Sequence, residues 1–193
     1  SLAGQKNNSA FLSAGNTGAV MACSLFNLKR IKGVLRPAIA TVIPIAGKKL
    51  VLIDSGANAD CKPKYLQQFG IMGKVYAENI LNIENPRVGL VNVGEEEKKG
   101  NELSIESHKL LKGSNLNFVG NIEGRDMFEG AADVAVCDGF VGNILLKGIE
   151  GLAALLFGQV KEALTKNIFN KLLALGLKKS FKEMKKKFDY EEY

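Results

Sequence analysis

Short β-type runs alternate with helical patterns along most of the chain. Ala10-Phe11-Leu12 leads through Gly15-Asn16-Thr17-Gly18, which reads as a turn, into a helical stretch near 18–30. Two apolar runs, Ala38–Ile45 and Leu50–Ile53, flank Gly47-Lys48-Lys49 and predict a hairpin. Pro63 suits the first turn of a helix running to about Leu81. Val88–Val93 predicts a buried strand, followed by a Gly/Glu/Lys loop and a helix near 101–112. Leu116–Val119 and Val134–Cys137 predict two more strands, with a short helix near 125–130 between them. Such alternation argues for a largely parallel sheet covered on both faces.

From about Gly142 the strand pattern stops. Leu146, Ile149, Leu152, Leu156, Val160 and Leu164 step by three or four and define one face of a long helix. Leu177, Phe181, Met184 and Phe188 mark a second, lysine-rich helix, and Leu172, Leu173, Leu175 and Leu177 lie at the apolar tip between them. The expectation is an α/β fold, a three-layer Rossmann-like sheet with helices on both faces, plus a projecting long helical hairpin. Residues 1–145 then form the core and 146–193 the hairpin.

Composition narrows this picture. The 193 residues are 46% hydrophobic and 24% charged, ordinary for a globular chain, which excludes disorder and collagen-like repeats. Net charge is +6, and residues 161–193 carry nine Lys against five acids, so most of the surplus sits in the hairpin. Cys23, Cys61 and Cys137 form no CxxC pair; they read as small packing residues in a reducing cytosol, with no support for a zinc site. No apolar run reaches the roughly 18 or more residues of a membrane span, and nothing resembles a signal peptide. The chain starts at Ser1 without Met and ends directly after a helical pattern, so it reads as the middle of a longer one.

The candidate chemistry is positional. Four β-runs end in small, polar, glycine-containing turns: 13–18, 54–58, 92–95 and 138–143. In an open α/β sheet, ligands bind beyond the carboxyl ends of the strands. Glycine admits close backbone approach, and free N–H groups at helix starts favour anions. Asn16, Asn58 and Asn143 add amide donors. The plainer alternative is that Gly and Asn punctuate ordinary turns; four turns on one sheet edge, two with Gly-x-x-Gly spacing (15/18 and 139/142), favour an anion site. No Walker motif or full dinucleotide fingerprint is present, so neither ATP nor NAD is indicated and no cofactor or metal is expected. His108, the sole His, reads as a surface or partly buried residue, and no nucleophile elbow accompanies it. Lys98 and Lys99 follow a central strand and are candidates for neutralising phosphate charge.

As a set, these segments carry a resemblance. SAGNTGAV (13–20), RIKGVLRP (30–37), LIDSGANAD (52–60), PRVGLVNVG (86–94), KKGNEL (98–103), FVGNIEGR (118–125) and DGFVGNILL (138–146) follow in the order and spacing of one family. The chain resembles the bacterial phosphate acyltransferase of phospholipid synthesis, the PlsX type, over about residues 9 to 193. That family is longer at both ends. The resemblance implies transfer of a long acyl group from acyl carrier protein to inorganic phosphate, giving acyl-phosphate that feeds a glycerol-3-phosphate acyltransferase. Phosphate is itself the nucleophile, so no enzymic Ser or Cys is required.

On this reading Lys98, Lys99, Asn143 and Asp138 are the catalytic candidates, with Asp138 orienting its neighbours. Gly15, Asn16, Thr17, Gly18, Asp54, Gly56, Asn58, Gly94, Gly139 and Gly142 line the substrate site. The resemblance also implies a cytoplasmic, peripherally membrane-associated homodimer, its hairpin tip resting on an anionic membrane surface. Two rivals stand beside it: a phosphotransacylase that uses acyl-CoA, and a non-enzymatic basic binding module. Nucleic acid is not expected as a partner, because the basic residues flank an apolar seam without an aromatic stacking platform.

Overall fold

The computed structural model describes residues 16–45, 47–167, 170 and 176. A 5-stranded sheet forms the centre, in the order β1-β2-β5-β3-β4. Its strands are β1 (Ala40–Ile45), β2 (Lys48–Ile53), β3 (Arg87–Val91), β4 (Asn117–Ile122) and β5 (Val134–Val136). β2, β5, β3 and β4 run parallel, and β1 is an antiparallel edge strand paired with β2. The hairpin turn is tighter than the sequence suggests: β2 already begins at Lys48, because Lys48 and Lys49 pair with Ile45 and Pro44.

Strand alternation sorts the side chains into two cores, one on each face. Val51, Ile53, Val88, Leu90, Val134 and Val136 face α2 (Pro63–Ile80) and α3 (Glu102–Lys112), where Leu66, Phe69, Ala77 and Leu111 meet them. Leu50, Leu52, Ile122 and Ala135 turn to the opposite face, against Met127 of α4 (Asp126–Glu129) and Val141, Leu145, Leu146 and Ile149 of α5 (Gly139–Thr165). The three-layer α/β arrangement follows directly from this period-two pattern. Each fully buried Leu, Val or Phe contributes about 1.5–3 kcal/mol of transfer free energy.

Helix ends are set by local chemistry. Pro63 opens α2, and the Asn101 side chain accepts the Ser104 N–H at the start of α3. Asp138 does the same for Val141 N–H in α5, which therefore starts at Gly139, ahead of Leu146, the first residue of the helical face read from the sequence. α5 is 27 residues long and contains an 18-residue window of mean hydropathy 1.6, so by length and composition it is long and apolar enough to cross a membrane. This corrects the sequence expectation that no apolar run reaches the length of a span: the helix stays apolar on average although it carries Lys147 and Glu150. The two pair with each other at 2.8 Å. The first turns of α5 pack on the sheet, whereas Leu152, Leu155, Leu156 and Val160 are exposed. α1 (Thr17–Leu28) is capped by Asn16 and buries none of its described side chains. The second hairpin helix and the tip residues Leu172, Leu173, Leu175 and Leu177 lie outside the described residues, as do Gly15 and the Ala10–Leu12 run.

Candidate functional site

Parallel strands bring their following turns to one edge. Because β5 lies between β2 and β3, turns 54–58, 138–143 and 92–100 emerge side by side, with Glu123–Arg125 beyond them after β4. Three of the four turns singled out in the sequence thus share this edge. Of the fourth, the described residues Asn16–Gly18 begin α1, where Asn16 Oδ1 accepts the Ala19 N–H at 3.2 Å. No described hydrogen bond joins them to the other three turns, and the Thr17 side chain and Gly15 are not among the described residues.

The 54–58 turn is built around its own carboxylate. Asp54 is fully buried. Its Oδ1 accepts N–H bonds from Ile39, Gly56 and Ala57 at 3.1, 3.1 and 2.9 Å, and its Oδ2 accepts from the backbone and side chain of Asn58 at 2.8 and 2.7 Å. A charge out of water must be met by donors, and here an amide nest is filled from within. The second hydrogen of the Asn58 amide goes to Pro37 O at 2.8 Å. Asp54 and Asn58 therefore shape the turn: both Asp54 carboxylate oxygens and all the Asn58 N–H donors are spent within it. Ser55 is tied to β1 through Thr41 Oγ1 at 2.8 Å, and to Ile39 O just before that strand.

The 138–143 turn interlocks with it at backbone distance. Gly139 N–H donates to Asn58 O at 2.7 Å, and a Cβ on Gly139 would lie 2.7 Å from Asn58 N. A Cβ on Gly142 would lie 1.9 Å from Asp54 O. The Gly-x-x-Gly spacing thus serves contact between two loops. Asp138 caps Val141 N–H at 2.9 Å, which leaves Phe140 N–H as the uncommitted amide of the first helical turn. One step further on, exposed Asn143 lays its side chain against Gly56, whose φ of 143° a side chain would strain. The Asn143 amide makes no hydrogen bond, so its donors are available at this edge.

The 92–100 turn carries two lysines, Lys98 and Lys99, directly after three glutamates, Glu95, Glu96 and Glu97. Asn92 Nδ2 donates to Lys99 O at 2.9 Å, and Glu96 O accepts from Lys99 N–H at 3.0 Å. Lys98 is exposed and pairs with no acid, whereas Lys99 Nζ stands 3.8 Å from Glu96. Gly94 is buried beneath Glu96 and Lys99. Arg125, after β4, is a further cation that the sequence reading did not select; it pairs with Glu123 and Asp126 at 3.3 and 3.5 Å.

His108 is buried, at 4% exposure, contrary to the sequence expectation of a surface or partly buried side chain. Its partner Asn121 comes from β4, so no local pattern announced it. The thiols at this edge are poor nucleophiles. Burial pushes Cys61 up to about 11, against a hydrogen bond from the Gly139 backbone, with Asp138, Asp54 and Asp60 adding to the rise. Burial carries buried Cys137 well above the ordinary thiol value, reinforced by Asp138 and Asp54. Among the described residues, no group of His, Cys, Asp and Glu has the arrangement of a metal site.

A mainly parallel sheet, helices on both faces and glycine-rich turns gathered at the carboxyl edge define an open-sheet α/β protein, a class in which ligands bind beyond the carboxyl ends of the strands. The chain belongs to the family described as "Fatty acid synthesis protein", whose model matches residues 1–193. It is 53% identical over 184 residues to the phosphate acyltransferase of Thermoanaerobacterium thermosaccharolyticum, covering 95% of this chain and 55% of that protein. It is 54% identical over 185 residues to the phosphate acyltransferase of Pelotomaculum thermopropionicum, covering 96% of this chain and 54% of that protein. The chain spans about half the length of the curated relatives it matches. Among solved structures, a phosphotransacetylase from Streptococcus pyogenes aligns with a TM-score of 0.55 at 14% identity, over 72% of this chain and 49% of that one. At that identity the likeness is one of fold.

Proposed function

We propose that this chain is the central part of an enzyme that transfers a long-chain acyl group from acyl carrier protein to inorganic phosphate, the product acyl-phosphate serving phospholipid synthesis. Identity of about half the residues to proteins named phosphate acyltransferase is the observation that carries this reading. A phosphate oxygen attacks the thioester carbonyl carbon, the C–S bond breaks, and the carrier's thiol leaves as a thiolate that takes up a proton. Phosphate needs no activation by a Ser or Cys, which accords with thiols held protonated at this edge. The protein's tasks are to hold the dianion in line and to stabilise the oxyanion that forms on the carbonyl. Asn143 is the amide donor free to meet that oxyanion, and Lys98 the cation free to meet the phosphate. Lys99 supports it, while Asp54, Asn58, Asp138, Gly139 and Gly142 hold the two loops in register.

The remaining parts of the proposal concern location. The hairpin, α5 and the segment beyond it, joins two subunits and sets its leucine tip on an anionic bilayer from the cytoplasmic side. Full burial of a Leu contributes roughly 1.5–3 kcal/mol and each nearby Lys about 1 kcal/mol at an anionic surface. Attachment of this strength is reversible. Leu172→Glu together with Leu175→Glu should release the protein from anionic vesicles and leave the dimer intact; retained vesicle binding would reject the tip as anchor.

The rival donor is acyl-CoA. Assays of phosphate-dependent thioester loss with acyl-carrier protein and with acyl-CoA, side by side in the intact protein, separate the two. Turnover at least about tenfold faster with the carrier-bound acyl group is expected; equal or faster turnover with acyl-CoA would assign the rival activity.

A further inference from the structure

We propose that buried His108 and Asn121 form a positioning pair that fixes the lysine turn, an inference that rests on the reading of Lys98 and Lys99 as the phosphate-side charge. Asn121 lies on the α3 side of β4, and its amide links two layers of the fold. Its Nδ2 donates to Glu96 O at 2.7 Å, so its Oδ1 faces His108, whose Nδ1–H donates to it at 2.9 Å. Phe118 packs edge-on against the imidazole, with ring centroids 5.1 Å apart. The other ring nitrogen stands 3.8 Å from a Glu97 oxygen, and Glu97 also pairs with Lys112.

The carbonyl held by Asn121 is the one that closes the turn. Glu96 O accepts from both Asn121 and Lys99 N–H, and Lys99 O is held in turn by Asn92. Gly100, at φ 90°, lets the chain pass so close to Asn92 that a Cβ there would lie 2.3 Å from its Oδ1. The backbone around Lys98 is therefore pinned at residues 96 and 99, one anchor on a strand-end Asn and one on the buried pair. A polar pair this deep needs every hydrogen bond satisfied. It spends one of them outside itself, on an exposed turn whose other hydrogen-bonded tie to the sheet, among the described residues, is Asn92. Shifts of about 1 Å in a positioning group cost on the order of 10²-fold in rate, and an exposed lysine on an unpinned turn has no fixed direction.

The test uses the intact protein with four variants and two readouts. Asn121→Ser and His108→Leu should each raise the KM for phosphate about tenfold, with a smaller change in kcat. His108→Gln, which keeps a donor for Asn121 Oδ1, should recover most of that loss. In hydrogen exchange, the Lys99 amide should be protected in the native protein and should exchange faster in His108→Leu. Given a raised phosphate KM in Lys98→Ala, an unchanged phosphate KM in folded Asn121→Ser or equal impairment of His108→Leu and His108→Gln would overturn the proposal; an unprotected Lys99 amide in the native protein would overturn it whatever Lys98→Ala does and even if a variant fails to fold. Lys98→Ala, run beside them, separates the two ideas. If it leaves the phosphate KM unchanged while Lys99 protection still falls in His108→Leu, the phosphate reading fails and the tether is upheld.

Discussion

Gly142→Ala is the substitution for which the interlocked loops make the sharpest prediction. The added carbon would sit 1.9 Å from Asp54 O and 3.0 Å from Cys137 Sγ. A relaxed C···O contact is about 3.3 Å or longer, so the α5 start and the Asp54 carbonyl must part by roughly 1.4 Å. Neither side can yield cheaply. Asp54 is held by five donors and Gly139 by Asn58 O. Overpacking of this kind costs about 1–3 kcal/mol or somewhat more, while Ala in a helix returns about 1 kcal/mol relative to Gly. Because neither side yields, the cost falls at the upper end of that range, and the expected net loss is about 2 kcal/mol or somewhat more, read by denaturant unfolding of the intact protein. Gly148→Ala is the control: nothing lies within 4 Å of its would-be Cβ, so it should be neutral or stabilising by up to about 1 kcal/mol. Turnover should fall in Gly142→Ala as well, because Asn143 moves with its neighbour. Equal stability of the two alanine variants would refute the interlock.

The same logic extends to two other perturbations. Asp54→Asn replaces an acceptor of five hydrogen bonds by a group whose NH₂ faces the Asn58 donors; a loss of about 3 kcal/mol or more, by unfolding, is expected. Arg87 grips Asp133 through Nε and a second nitrogen at 3.0 and 2.9 Å, tying β3 to the start of β5, and its backbone N–H adds a third bond. Burial would raise the Asp133 carboxyl, but these bonds outweigh it and hold it below the usual carboxylate value. A depressed native value means that the pair stabilises the fold above the unfolded carboxyl's pKa, near 4, and that this contribution is lost as pH falls through the native value. Arg87→Met should therefore remove about 1–3 kcal/mol at pH 7 and flatten the acid limb of the stability curve; an unaltered acid limb would count against the pairing.

The sheet and its covering helices were legible in the sequence because alternation of Val, Ile and Leu in 50–53 and 134–136 feeds two separate cores. The turns were legible as sites, less so as structures. Gly139 and Gly142 look like loop residues by propensity, so 138–143 reads as a turn although α5 already begins at Gly139; the demand for glycine there comes from Asn58 and Asp54, more than 80 residues earlier. Asp54 reads as a ligand contact in isolation, and only the folded turn shows its oxygens spent on backbone N–H groups. Long-range polar pairs left no local trace. Arg87 and Asp133 are 46 residues apart, and Asn121 reaches His108 only across the packing of β4 on α3.

The central claim is that this sheet edge directs an acyl group onto phosphate, with Asn143 meeting the oxyanion. Incubating the intact protein with acyl-carrier protein and radiolabelled phosphate, then trapping the product with hydroxylamine, tests it directly. The account predicts labelled acyl-phosphate from the native protein and a yield about 10²-fold lower from Asn143→Ala of unchanged stability. Absence of labelled product from the native protein, or an undiminished yield from Asn143→Ala, would contradict it.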